Sequence, residues 1–399
     1  MLDLQDPVTL ALIRADQTLT PLSALVEITH ACNVDCEHCY LDLVPDKKIG
    51  ALSTDEWRRI LKELKDAGGL YLAISGGEIL VRRDWFEIAS YARSLGFALK
   101  LYTNGTLIDD DAADKMASLH LLQAEISLLG GLPATHDSIA RRRGAFDKTI
   151  AGVKRLRARG VKVILKCVAM EKNAEEIGLI EAIANELGCR FQLYVTMTPK
   201  NNGSSAPRDL LPGEDALVRA AKRVEELSGN AQPSSCGTLD AGRRGEKLKE
   251  TPCAAGRRTC HIGPQGDLFP CTQWVVPVGN LREASFKELW LKSAELDRIR
   301  ATRVSDFPVC ARCDLLSICN PCMALALLER GVPDGPSPTR CGVAELRAKA
   351  LGMPERSAWL ALSEEEKRKG AVVAGRVRLP LVSSKLPPRE TSDTDRAAE

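Results

Sequence analysis

The sequence predicts an α/β fold: a parallel sheet of six strands alternating with helices, followed by a loop-rich second domain that depends on metal–thiolate bonds. Three observations carry this. Six short apolar runs alternate with helical patterns, an order that demands a parallel sheet with right-handed crossovers. Eight of the 14 cysteines crowd between positions 253 and 341, where apolar runs are too few to fold on burial alone. The chain has 399 residues, which suits two domains better than one or three.

The elements follow in order. Residues 25–29 read as a strand that runs into the first cysteine loop. Residues 53–67 begin with Ser-Thr, place apolar residues at helical spacing and stop at Gly68-Gly69, so they predict a helix. Strands follow at 71–75, 98–102, 124–129, 161–168 and 190–195, with helices at 84–95, 109–119, 146–159 and 174–187 between them. The unusual residues fall in the turns after the strands, where sites form in such sheets. Beyond Thr196 the pattern fails. Residues 199–212 read as a loop, 214–227 as a helix, and 231–250 as a polar boundary; in the cysteine-rich stretch only 286–299 reads as helical. The resulting organisation is a lead-in over 1–21, a core barrel over 22–200, a helix and linker over 201–250, a cysteine-rich domain over 251–345 and an extension over 346–399. The polar stretch 384–399 is expected to be disordered.

Composition narrows the function. Charged residues make up 27 % and net charge is +2, so no global field directs the chain to nucleic acid or an anionic membrane. No apolar run reaches the length of a membrane span, and the acidic N-terminus lacks a secretory pattern. A cytoplasmic protein is expected, and there clustered thiols are metal ligands rather than disulfides.

Cys32, Cys36 and Cys39 are spaced C-x3-C-x2-C directly after the first strand. A structural zinc site needs a fourth ligand, and none is well placed; His38 is wedged beside Cys39. Three thiolates can instead hold three corners of a [4Fe-4S] cube and leave one iron open. The later pattern, Cys253-x6-Cys260-x10-Cys271, then Cys310-x2-Cys313-x5-Cys319-x2-Cys322, then Cys341, makes two sets of four. On spacing alone it suits zinc and iron about equally.

With these motifs the sequence resembles the radical S-adenosylmethionine (SAM) superfamily. Ser75-Gly76-Gly77-Glu78 resembles the motif that meets the methionine amino group through its backbone and carboxylate. Thr103-Asn104-Gly105-Thr106 and the segment 125–130 resemble the ends of the third and fourth strands. Ser127 stands where the family contacts SAM, and Leu129 where it often has Asp. Thr135-His136-Asp137 and the run Arg141-Arg142-Arg143 resemble the next loop. Ala140 stands where the family usually has a SAM-contacting Arg, so one of Arg141, Arg142 and Arg143 is the candidate substitute, Arg141 first; a solvated face or a grip for acidic substrate residues are the other readings of the run. The C-terminal pattern, with residues 263–271 and Gly279-Asn280-Leu281, resembles the SPASM extension and its two auxiliary [4Fe-4S] clusters. The fold class implied is an α/β partial (β/α)6 radical SAM barrel followed by a loop-rich Fe–S SPASM domain.

By that resemblance Cys253, Cys260, Cys271 and Cys322 hold one auxiliary cluster, and Cys310, Cys313, Cys319 and Cys341 the other. Relatives have three residues between the cysteines that are here Cys319 and Cys322. The chemistry implied is one-electron cleavage of SAM to a 5′-deoxyadenosyl radical that removes an unactivated hydrogen. Sulfatase activators carry an Asp after the cysteine matching Cys271; here Thr272 and Gln273 follow. The chain looks most like the maturases of pyrroloquinoline quinone and mycofactocin, which implies a ribosomally made precursor peptide as substrate. A tetrapyrrole or aminosugar substrate, or a non-enzymatic zinc scaffold, are the alternatives. The implied partners are the peptide, a separate leader-recognition protein (about 21 residues precede the first strand) and a flavodoxin- or ferredoxin-type donor. Cys167 and Cys189 read as buried apolar residues and Cys236 as a loose thiol. His120, His136 and His261 are the candidate bases.

Overall fold

The computed structural model describes residues 6–41, 50–228, 241–353 and 362–363. Its strands are β1 (Ser23–Glu27), β2 (Tyr71–Ser75), β3 (Ala98–Thr103), β4 (Gln123–Ser127), β5 (Val163–Val168), β6 (Arg190–Tyr194), β7 (Thr259–Ile262), β8 (Asp267–Phe269) and β9 (Gly279–Asn280). The helices are α1 (Pro7–Gln17), α2 (Thr54–Asp66), α3 (Trp85–Ser94), α4 (Asp110–Ser118), α5 (Pro133–Ala140), α6 (Ala145–Ala158), α7 (Ile177–Glu186), α8 (Glu214–Leu227), α9 (Ala241–Lys249), α10 (Phe286–Lys292), α11 (Ala294–Ala301), α12 (Met323–Arg330) and α13 (Pro338–Ala350). All six predicted strands form, each within a few residues of its expected bounds.

The strands make one sheet in the order β6-β5-β4-β3-β2-β1-β7-β8-β9. From β6 to β7 every neighbouring pair is parallel; β8 and β9 return antiparallel. Because the βαβ crossovers lay helices on one side, the strands bury one set of alternate residues against helices and turn the other set into the barrel lumen. Val26, Ile74, Leu101, Ile126 and Leu165 belong to the helix-covered set and are buried.

Helix α2 shows how locally the elements are specified. Ser53 accepts from the Glu56 backbone while the Glu56 carboxylate accepts from the Ser53 N–H, a capping box. Trp57, Ile60, Leu61 and Leu64, at helical spacing, face the core.

Several expectations are corrected. The lead-in contains α1. Thr135, His136 and Asp137 lie on α5, which Pro133 opens, rather than in a loop. The helix expected over 286–299 is two: Ser293 adopts an extended conformation and caps Leu296 N at 3.3 Å, separating α10 from α11. The cysteine-rich region is more helical than expected, since α12 and α13 flank its last cysteines. It is also joined to the barrel: β7 pairs with β1 in register Val26↔Ile262, and Ile262, Leu268, Phe286 and Trp290 join Val26 and Leu61 in one hydrophobic cluster, while Trp274, Phe307 and Met323, and separately Leu315, Ile318 and Ala348, form smaller clusters of its own. A four-residue Thr-Cys-His-Ile strand is too short for its period to show in sequence. Cys236 and residues 384–399 lie outside the described residues.

Candidate functional site

The turns after β1, β2 and β3 meet at one end of the barrel. Gly76, at φ +142°, and Gly77 pass so close beneath the cysteine loop that a Cβ would come 2.1 Å from the Thr29 carbonyl oxygen and 2.4 Å from that of Ala31. Their amides and the next knit the loops together, Gly77 N donating to Thr29 O and Glu78 N to Ala31 O, each at 2.9 Å. Only glycine permits this approach.

Glu78 is fully buried. Its Oε1 accepts from Leu80 N at 3.1 Å and the Thr103 hydroxyl at 2.8 Å, and its Oε2 from Asn104 N at 2.7 Å. Burial pushes its carboxyl above the ordinary value, against these three bonds. These bonds make the carboxylate fix the turn after β3. Through that turn Asn104 reaches the cysteine loop, donating to Asn33 Oδ1 at 2.9 Å and lying 4.0 Å from Cys32 Sγ.

Cys32, Cys36 and Cys39 face one another closely enough to repel as thiolates. Burial pushes Cys36 up to about 12, with Cys39 and Cys32 adding to it, and Cys39 up to about 11. Such thiols are held protonated until a cationic metal displaces the protons. The loop is anchored by Asp35 N and Glu37 N to the carbonyls of Ala140 and Ile139 on α5. Arg141, the left-handed residue ending α5, sets its guanidinium 3.4 Å from Asp35 of the same loop. Ser127 closes β4 on the lumen side, opposite Lys166. His38 is buried, which lowers its ring to about 4.

One group that sequence reasoning missed organises this end of the barrel. Glu27, the last residue of β1, accepts the Tyr40 hydroxyl on Oε1 and meets His30 Nε2 with Oε2, both at 2.9 Å. His261 of β7 brings Nε2 to 3.4 Å from Oε2, a charge contact without hydrogen-bond alignment. Burial raises the Glu27 carboxyl, but the two imidazoles outweigh it and hold it well below the usual carboxylate range. Of the histidines weighed as bases, His261 is therefore at the site. His136 is structural, its Nδ1 accepting from Leu129 N at 3.1 Å, and His120 is a left-handed residue after α4.

Lower in the lumen, Glu125 takes Lys166 Nζ at 2.9 Å on Oε2 and Gln123 at 2.7 Å on Oε1. A signal was available on β4, where Gln123, Glu125 and Ser127 alternate with Ala124 and Ile126; on β5 Lys166 is the one charged residue in an otherwise apolar strand.

The later cysteines fall into two groups. Cys271 feels Cys322 and Cys253, while Cys341 feels Cys310, Cys319 and Cys313. Cys319 also feels Cys322, so the two groups lie side by side. Cys260, on β7, is buried at the edge of the main hydrophobic cluster and lines one cavity with Cys271; burial alone pushes its thiol up to about 12. Among the described residues no three His, Cys, Asp or Glu side chains converge as ligands of one ion do.

Two family descriptions match the chain, "Radical SAM superfamily" over residues 26–182 and SPASM, "Iron-sulfur cluster-binding domain", over 253–314. The PqqA peptide cyclase of Xanthomonas campestris is 30 % identical over 77 % of this chain and 84 % of its own. This chain belongs to the radical SAM superfamily. It is a radical SAM enzyme with a SPASM domain, so it uses a [4Fe-4S] cluster with SAM, and auxiliary Fe–S clusters. The mycofactocin maturase of Mycobacterium tuberculosis is 29 % identical over 80 % of this chain and 82 % of its own. An AdoMet-dependent heme synthase of Methanosarcina barkeri is 27 % identical over 76 % and 92 %. In fold the radical SAM chain resembles Streptococcus suis SuiB in its complex with precursor peptide SuiA, with TM-score 0.65, 20 % identity and coverage of 86 % and 82 %. Family membership sets aside the zinc scaffold. Among the described residues no helix is long and apolar enough to cross a membrane.

Proposed function

We propose that this radical SAM enzyme modifies a ribosomally made precursor peptide by crosslinking, dehydrogenation or decarboxylation. The observation that carries the reading is its likeness, over about four-fifths of the chain, to enzymes named for peptide substrates, the PqqA cyclase and the mycofactocin maturase. When bound, the SAM cluster supplies reductive cleavage of SAM and hydrogen abstraction.

In this reading the chain's own residues bind and orient. Cys32, Cys36 and Cys39 hold the SAM cluster. Gly76 and Gly77 present backbone and Glu78 its carboxylate to the methionine group, and Ser127 and Arg141 flank it. Cys253, Cys260, Cys271 and Cys322 hold the first auxiliary cluster, and Cys310, Cys313, Cys319 and Cys341 the second. A flavodoxin- or ferredoxin-type donor and a separate leader-recognition protein complete the system; a tight binary complex of this chain with the leader alone would remove the latter.

The likeness to heme synthase favours one second reading, the same chemistry on a tetrapyrrole. Anaerobic reconstituted enzyme with SAM and dithionite, given a precursor peptide encoded beside its gene or an iron porphyrin bearing propionates, separates them by mass spectrometry. Loss of two hydrogens or of a carboxyl group from the peptide supports the first reading. An untouched peptide with a decarboxylated porphyrin overturns it.

A further inference from the structure

The turn that follows Cys271 is folded around its sulfur. The backbone N–H groups of Gln273 and Trp274 both donate toward the Cys271 thiol, and Trp274 N also meets Cys271 O at 3.2 Å. The Trp274 side chain then turns inward and is 2 % exposed. It lies in a small apolar cluster with Ile299, Phe307, Met323 and Ala324, against which Cys271 and Cys322 of the first auxiliary group pack, and Cys310 of the second. Arg298 lies over its ring, 5.8 Å from the centroid, and is itself held by Glu295 through hydrogen bonds of 2.9 and 2.8 Å. The indole is thus fixed beside Cys271.

The polar atom of that indole is unpartnered. Trp274 Nε1 is buried and has no hydrogen-bond partner among the described residues. An indole N–H is a donor only, and buried donors are rarely left without an acceptor. Trp290, the other buried indole of this region, gives its N–H to Leu19 O. Trp57 Nε1 is unpartnered too, so the orphaned atom decides nothing by itself. The surroundings separate the two: Trp57 faces the barrel core with Ile60, Leu61 and Leu64, whereas Trp274 belongs to a turn whose backbone already donates to a thiol. Thiols that bind iron do so as anions, and an anionic sulfur is the acceptor this neighbourhood then offers.

We infer that Trp274 Nε1 donates a hydrogen bond to a sulfur of the Fe–S cluster held by Cys253, Cys260, Cys271 and Cys322, and that Trp274 is a positioning residue that raises the reduction potential of that cluster. A donor at a cluster sulfur stabilises the reduced, more negative form, which is why such bonds set potentials. The inference rests on the ligand set proposed above for the first auxiliary cluster, and it holds whether the substrate is a peptide or a porphyrin.

The test is pulsed electron paramagnetic resonance and redox titration of the anaerobic, reconstituted full chain, grown with tryptophan that carries an isotopic nitrogen label in its ring. The signal that Cys322→Ala alters marks the first auxiliary cluster. In the wild type that signal is expected to show a coupling to the labelled nitrogen, and in Trp274→Phe to lose it. The midpoint of the same signal is expected to fall in Trp274→Phe by at least about tenfold in the reduction constant, about 59 mV for one electron, with the SAM-responsive signal unmoved. Phe307→Leu loosens the same apolar cluster without touching a donor, and is expected to leave the midpoint in place. A wild-type signal without the coupling overturns the assignment with no variant needed, and so decides the matter if Trp274→Phe fails to take up iron. A coupling carried by another cluster's signal, an unmoved midpoint in Trp274→Phe, or an equal fall in Phe307→Leu overturns it as well. Should Cys322→Ala alter no auxiliary signal, the ligand set fails and the inference with it, a result distinct from a first-cluster signal that lacks the coupling.

Discussion

The Tyr40 hydroxyl donates to Glu27 Oε1 at 2.9 Å and so ties the residue after the third cysteine back to the end of the first strand. The bond closes the cysteine loop on itself, beside Cys39. In Tyr40→Phe that oxygen of a buried carboxylate loses its donor, at a cost of about 1–3 kcal/mol. A lower thermal midpoint for the reconstituted protein, with faster loss of iron to a chelator, is expected. An unchanged midpoint and chelation rate would show the bond to be idle.

The cysteine groups should separate by function. Cys36→Ala is expected to abolish SAM cleavage, followed as 5′-deoxyadenosine by chromatography. Cys313→Ala, in the far group, is expected to retain some cleavage while losing product. Cleavage at the wild-type rate in the first variant would refute the assignment of the loop.

Cys260 and Cys271 line one cavity, and Cys253 and Cys322 lie beside Cys271. Three thiolates suffice to hold a cube. Cys260→Ala and Cys322→Ala, each leaving three, should therefore both keep most of their iron, with an altered electron paramagnetic resonance signal. An unaltered signal in Cys260→Ala would remove it from the ligand set.

Gly76→Ala tests the clamp between the glycine and cysteine loops. A Cβ at Gly76 would lie 2.1 Å from the Thr29 carbonyl oxygen at a φ that L-residues avoid, so one loop must move. Strain of this kind costs about 1–3 kcal/mol for the dihedral alone. SAM affinity, measured by spectroscopic titration of the reconstituted protein, should fall at least tenfold (about 1.4 kcal/mol). Wild-type affinity would show that the loops do not cooperate.

Arg282, just after β9, grips Glu56 of α2 at 2.6 Å and so pins the SPASM segment to the barrel. Its hydrogen bond holds the Glu56 carboxyl down to about 2 from an ordinary 4.5, and the stabilisation is present above the upper value and lost as pH falls toward the lower. The pair is largely solvated, so its worth is below about 1 kcal/mol. Thermal midpoints of wild type and Arg282→Gln should differ by a small, constant amount at neutral pH and converge between pH 4.5 and 2. A gap that persists at the acid end would assign it to the Arg282 bonds with the Gly50 and Ala51 carbonyls.

The six barrel strands and the helices α2, α3, α4, α6, α7 and α8 were legible because their signals are local: a period in the apolar residues, a cap such as Ser53, a stop such as Gly68-Gly69. The cysteines were legible because thiolate chemistry constrains spacing. Short elements escaped. Thr259 to Ile262 is one strand of four residues whose only apolar anchors are Cys and Ile, and α12 was hidden by the cysteines around it.

Residue order alone therefore determined the alternating core, the three-cysteine loop and the glycine motif behind it, since each is written within a dozen neighbouring positions. Tertiary structure alone decided that β7 extends the barrel sheet, that His261 meets Glu27 across it, and that Lys166 meets Glu125 within the lumen. Those relations join residues that are distant in the chain, and the folded backbone sets which side chains share the small desolvated space where charges and hydrogen bonds matter most.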